Sequence, residues 1–266
     1  MAEERCCDCG TNSTKNIEEI VKETYGRAWA SLKAKEKTAQ SLRCDLKAHD
    51  ALLKELTPRK GMKVLDIGSG SGETVLTIAQ KVGPTGKAVG VDFSPEGIAL
   101  ARKRAKERKL EKVAEFHLAH AHELPFPDNS FDAVISECVV CLTQDKQKVL
   151  NEKVRVLKPG GRVIMHDVIT WAPMPKAVTK DPQLYCSCIG GAVSLNDYVN
   201  MMKKAGLTDI KTVDYTEDTR KMASVAILTR AVEEVDDEKN FQEIVNFVRK
   251  GGVGYALLVG TKPEHT

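Results

Sequence analysis

Val64-Leu65-Asp66-Ile67-Gly68-Ser69-Gly70-Ser71-Gly72 carries an apolar-dominated run straight into three alternating glycines, and this stretch decides the fold. Val64 to Ile67 reads as a buried parallel strand, because a strand covered on both faces loses the apolar–polar alternation. A strand that turns sharply into a helix needs residues without a Cβ, which tolerate positive φ and let a ligand approach the backbone. The GxGxG spacing departs from the GxGxxG of dinucleotide binders: Val75 and Glu73 stand where the last glycine would fall in the two registers. A ligand is expected at this turn.

Working outward, Lys87 to Val91 is a second strand-like run that ends in Asp92, where an acid is placed to hold a ribose edge. Phe93 follows with a face that suits a purine ring. Ser94-Pro95 supplies its own helix cap and first helical residue, which leaves the Asp92 carboxylate for the ligand. Further strands are expected at Ala114 to Ala119, Phe131 to Ser136, Arg162 to Val168, Ile210 to Tyr215 and Tyr255 to Thr261. Helical patterns separate the earlier ones, among them Pro95 to Lys109 and Asp145 to Leu157, the latter stopped by Lys158-Pro159-Gly160-Gly161. That alternation implies a parallel, doubly wound sheet. Ser194-Leu195-Asn196-Asp197 carries an S-x-x-D signature and opens another helix. Two helical patterns, Thr219 to Glu234 and Asp237 to Lys250, precede the last strand.

The 266 residues suit one domain with additions. The division expected is a mobile cysteine-rich tail at 1–15 and a single domain at 16–266, comprising N-terminal helices (16–57), a ligand-binding core (58–215) and a helical insertion with the last strand (216–266). The N-terminal helices are placed across the top of the sheet as a lid. Forty basic residues against 37 acidic ones, without a basic stripe, give no indication of a nucleic-acid partner. No apolar run reaches the roughly eighteen residues of a membrane helix, and the polar N-terminus lacks a signal-peptide core. A cytoplasmic protein with no membrane partner is expected. Eight cysteines in such a chain point to thiolate chemistry rather than a disulfide framework.

VLDIGSGSG, VGVDFS, LPFPDNSFDAVIS and RVLKPGG together resemble the class I S-adenosylmethionine-dependent methyltransferases, over about residues 60–215. The resemblance implies an α/β fold with a doubly wound, mostly parallel seven-stranded sheet, Rossmann-like, and S-adenosyl-L-methionine as cofactor. It puts Asp66, Gly68, Ser69, Gly70 and Gly72 in the first cofactor motif and Asp92 and Phe93 in the second, with Ala121, His122 and Ser136 as further cofactor contacts. Ala121 would serve through its backbone amide. His120 occupies the place of an aspartate that accepts the adenine amino group, a task open to a neutral imidazole nitrogen. A solvated loop tip is the competing reading of both histidines.

Within that class, Ile135-Ser136-Glu137-Cys138-Val139-Val140-Cys141-Leu142 and the stretch from Asp181 to Ala192 resemble arsenite methyltransferases. Cys138 and Cys188 match that family's two cysteine positions, while Glu137 and Cys141 stand where it carries asparagines. A third thiol is implied, assigned to Cys44, with Cys6, Cys7 and Cys9 as alternatives. Trivalent arsenic is soft, so thiolates displace its hydroxyls. It retains a lone pair, so its methylation needs alignment more than a general base. The partners implied are arsenite or its thiol conjugate as acceptor and a thiol reductant such as thioredoxin or glutathione. No resident metal is expected: a zinc site on Cys138, Cys141, Cys186 and Cys188 would block the acceptor's entry. Trp171 is a candidate wall of the acceptor pocket, and the alternatives for function are a C- or O-methyltransferase of the quinone or sterol type and a non-catalytic metalloid sensor.

Overall fold

β1 (Lys63–Ile67) is hydrogen-bonded on one side to β2 (Lys87–Asp92) and on the other to β4 (Phe131–Glu137), both parallel to it. The chain runs from β1 outward to β3 (Ala114–Leu118) and then returns across β1 to β4, so strand order reverses beside β1. The full order is β3-β2-β1-β4-β5-β8-β7, with β5 (Leu157–Thr170) parallel to β4 and β8 (Val253–Thr261) antiparallel to both β5 and β7 (Thr208–Asp214). This arrangement comes from a computed structural model that describes residues 16–35, 46–176, 179, 185–186, 188–217, 246–247 and 250–264. The expected seven strands are all present in a mostly parallel sheet. An eighth, the two-residue β6 (Val193–Ser194), pairs with Ile169 and Thr170, because β5 runs further than its apolar run suggested and offers an edge there.

Successive side chains of a strand point to opposite faces, and the cores follow that alternation. Val64, Ala133 and Ile135 join one cluster with α3 (Glu73–Val82) and α4 (Pro95–Glu107), and Leu65, Ile67 and Val134 join another with α5 (Lys146–Val156) and α6 (Leu195–Lys204). Both faces of the central strands are therefore covered, which is why they read as unbroken apolar runs. Helix starts follow their capping signals: Ser94 accepts from Gly97 N–H at 3.1 Å, Asp145 from Lys148 N–H at 2.9 Å and Ser194 from Asp197 N–H at 3.1 Å.

The start of β5 also differs from the sequence expectation. Lys158-Pro159-Gly160-Gly161 does not lie before β5 but bulges within it: Phe131 pairs with Leu157 and Ala133 with Arg162, so the four residues sit opposite Asp132. Lys158 Nζ bonds the Asp132 carboxylate across the bulge. Of the N-terminal helices, α1 (Ile17–Lys35) packs on α4, and α2 (Leu46–Leu56) on β5 and β8. The cysteine-rich stretch 1–15, Cys44 and most of the two helical patterns between β7 and β8 lie outside the described residues. No helix among the described residues is long and apolar enough to cross a membrane.

Candidate active site

Reversal of strand order leaves a crevice at the carboxyl ends of the strands, the usual ligand position in such sheets. Here that crevice is a cleft floored by Asp66 to Ser71 after β1, Asp92 and Phe93 after β2 and Glu137 to Val139 after β4. Helix α1 walls it with Val21, Tyr25 and Trp29, and the loop after β3 closes another side with Ala119 to His122.

The glycine turn is shaped as much by this wall as by its own bend. Gly70 has φ +50°, and a Cβ there would overlap the Trp29 indole, so the side chain is missing where helix and loop touch. Asp92 is buried and fixes the same loop: one carboxylate oxygen accepts from Gly70 N–H and the other from Ser94 N–H, both at 2.8 Å. Burial raises the Asp92 pKa, against the lowering effect of those N–H groups. The sequence reading left this carboxylate wholly to a ligand; it also stitches the loop to β2. The Phe93 N–H acts on the same carboxylate, and of its roughly four acceptor sites one remains for a ligand.

Of the residues expected at the cofactor, Asp66, Gly68, Ser69, Gly70, Asp92, Phe93, Ala121 and His122 all line the cleft. His120 does too, its ring edge-on to Phe93 at 5.9 Å. Gly72 and Ser136 are not in the lining. Gly72 caps α3, and Ser136 is fully buried with its hydroxyl accepting from Lys153 Nζ. Lys153 lies on the apolar face of α5, completely buried, and desolvation lowers its pKa to about 8. Trp171 is displaced from its expected role: it is 47% exposed and donates to Thr216 Oγ1 at 3.1 Å instead of walling the cleft.

Cys138 lines the cleft, and the buried Cys188 lies behind it, its Sγ 3.9 Å from the Cys138 carbonyl oxygen. Both adopt left-handed backbone, φ +51° and +71°. Such geometry costs an L residue about 1–2 kcal/mol and persists only where the surrounding structure over-determines it. Cys141, three residues beyond Cys138 on a short 3-10 turn (Val140–Leu142), places its thiol within reach of both the Cys188 thiol and the Asp167 carboxylate. Burial, then these neighbours, push the Cys141 pKa well up. Asp167 holds the turn through Val140 N–H at 3.0 Å and Cys141 N–H at 3.3 Å, and desolvation raises its own pKa to about 6. Gly191 matters for the same reason as Gly70, since a Cβ on it would collide with the Cys141 carbonyl. Cys186 is buried elsewhere, 3.7 Å from Thr24 Oγ1, and Tyr25 Oη donates to the Cys186 carbonyl at 3.2 Å. The four described cysteines therefore do not form one tetrahedral cluster.

Sequence reasoning passed over Trp29, Asp167 and the part played by Glu137. The Glu137 carboxylate receives Thr74 Oγ1 at 2.9 Å and contacts His49 Nδ1 at 3.0 Å, tying α3 and α2 to the cleft floor. A signal existed for Asp167: it is the lone acid inside the apolar run from Val163 to Ile169.

A family model described as Methyltransferase domain matches residues 58–206. The arsenite methyltransferase of Halobacterium salinarum is 42% identical over 159 residues, covering 60% of this chain and 40% of that protein. The arsenite methyltransferase of Aquipseudomonas alcaligenes is 35% identical over 161 residues, 58% of this chain and 46% of that protein. The chain thus spans less than half the length of either curated relative. A solved arsenic(III) S-adenosylmethionine methyltransferase from Chlamydomonas reinhardtii superposes with a TM-score of 0.59 at 28% identity, over 77% of this chain and 64% of that one.

Proposed function

Because the chain belongs to the methyltransferase domain family, we propose that it transfers a methyl group from S-adenosylmethionine to trivalent arsenic held by Cys138, Cys188 and Cys141. The observation that carries this reading is the convergence of those three cysteines in one apolar cluster, the first of them open to the cleft. The likeness to two arsenite methyltransferases points the same way.

The cleft suits the cofactor by its own construction. Glycines leave the backbone bare at the Gly68 to Gly70 turn, Asp92 keeps an acceptor site for a ribose hydroxyl, and Phe93 and His120 offer ring surface for adenine. S-adenosylmethionine supplies an electrophilic sulfonium methyl when bound, toward which the arsenic lone pair is the nucleophile.

The protein's own residues bind and orient the acceptor. Arsenite loading is a condensation in which three S–H and three As–OH groups give three As–S bonds and three waters. Each thiol proton leaves with a hydroxyl, so neutral thiols suffice and the raised pKa of Cys141 is no obstacle. Cys138 brings the arsenic to the edge of the cleft, while Cys141 and Cys188 anchor it in a buried, water-poor cluster. Alignment of this kind is worth up to about 7–11 kcal/mol where fully realised. A low-molecular-weight thiol or thioredoxin is the partner expected to exchange or reduce the product.

Single Cys138→Ser, Cys141→Ser and Cys188→Ser variants test the proposal, with labelled cofactor, arsenite and thiol, and speciation of the product. Each is expected to lose arsenite methylation and keep cofactor affinity. Methylation at the parent rate in Cys138→Ser or Cys188→Ser refutes the arsenic reading and favours an acceptor of the quinone type, for which LPFPDNSFD and RVLKPGG are equally suited.

A further inference from the structure

We propose that Glu18, His120 and His122 form a divalent-cation site of the zinc type that clamps helix α1 to the loop after β3. One ligand atom from each lies within 4.8 Å of the other two, although the residues come from elements about a hundred positions apart in the chain. The His122 Nε2 to Glu18 Oε1 distance is 3.6 Å. That is too long for a hydrogen bond. It is close to the edge of a coordination tetrahedron, about 3.4 Å for bonds of about 2.1 Å. His122 Nε2 is buried and makes no hydrogen bond among the described residues, although its residue lines the cleft. Glu18 Oε1 also accepts from Gln144 N–H at 3.3 Å, and its carboxylate acts electrostatically on the Lys146 ammonium and the Tyr185 hydroxyl.

Donor chemistry selects the ion. Two imidazoles and a carboxylate suit Zn²⁺, Co²⁺ or Ni²⁺; magnesium and calcium prefer an all-oxygen shell, and arsenic or copper(I) prefers the thiols elsewhere. Three protein ligands also leave a coordination position for water or for a polar group of whatever fills the cleft. The mechanical consequence lies in α1. Its Val21, Tyr25 and Trp29 wall the cleft, and Glu18 stands in its first turn. An ion there would pin that wall to the loop after β3 and hold that side of the cleft closed.

Cobalt(II) is the probe for the full chain in a non-coordinating reductant, because thiolate ligands announce themselves by a charge-transfer band and histidine and carboxylate ligands do not. Equilibrium dialysis and absorption spectra are compared for the parent, His120→Ala and His122→Gln. His120 is exposed, so its variant should melt as the parent does without metal. The expected result is one fewer cobalt equivalent in each variant, an unchanged thiolate band, and cobalt-dependent protection of α1 amides from hydrogen exchange in the parent alone. Equal cobalt uptake in parent and variants, or a missing equivalent that carries the thiolate band, overturns the proposal.

Discussion

Asp92→Asn separates the structural and ligand-binding duties of one carboxylate. Asparagine keeps the shape but turns an NH₂ toward either Gly70 N–H or Ser94 N–H, each now held at 2.8 Å by an oxygen. Losing a hydrogen bond to a charged acceptor costs about 1.5–3 kcal/mol. From this the relief of burying a charge must be subtracted, since desolvation is the largest influence on the group. The melting temperature should therefore fall by less than about 10 °C, at about 2–4 °C per kcal/mol for a chain of this size. No such relief offsets the loss at the ligand, because a ribose hydroxyl would lose its charged acceptor. Affinity for S-adenosylhomocysteine, measured by calorimetry, should fall about 10- to 150-fold. The pH dependence has a definite sign. A folded pKa raised above the unfolded value means that the native state binds the extra proton, so unliganded stability falls as pH rises through that window. Ligand affinity runs the other way, weakening on acidification in the parent and not in the variant. A folded Asp92→Asn protein that binds within twofold of the parent would refute the assignment of the ribose to this carboxylate.

Lys153 is charged at a cost, and that cost disappears as pH rises from its folded pKa of about 8 toward the unfolded 10.5. Denaturant unfolding should show the parent gaining about 3 kcal/mol across that interval, at 1.36 kcal/mol per unit, and Lys153→Met gaining none of it; a parallel pH profile in the variant would contradict the buried charge. Gly70→Ala should lose about 1–2 kcal/mol from its left-handed backbone and more from overlap with Trp29. In a double-mutant cycle Trp29→Ala should recover the overlap and leave the backbone cost, so strict additivity would show that helix and loop do not touch.

How much of this was legible beforehand follows from the range over which each force acts. Strands, turns and caps are written in neighbouring residues. The apolar run into Gly68-Ser69-Gly70, the acid after β2 and the Ser94 and Ser194 caps were therefore readable, and with them the doubly wound sheet and most of the cleft. Even the bulge at Lys158 to Gly161 was half visible, as a break, though only strand pairing shows that the sheet absorbs it. Contacts between distant segments have no such local record. Nothing near Trp29 says that its indole covers Gly70, nothing near Glu18 says that two histidines face it, and local spacing alone does not separate Cys141, whose thiol meets Cys188, from Cys186, which lies elsewhere. Ser136 shows the same limit in reverse: its motif position suggested the cofactor, but the strand's alternation turns its hydroxyl inward to Lys153. Sequence alone determined the sheet and the place where it binds. Tertiary packing decided which side chains share that place, because convergence depends on how helices and loops far apart in the chain cross the carboxyl edge.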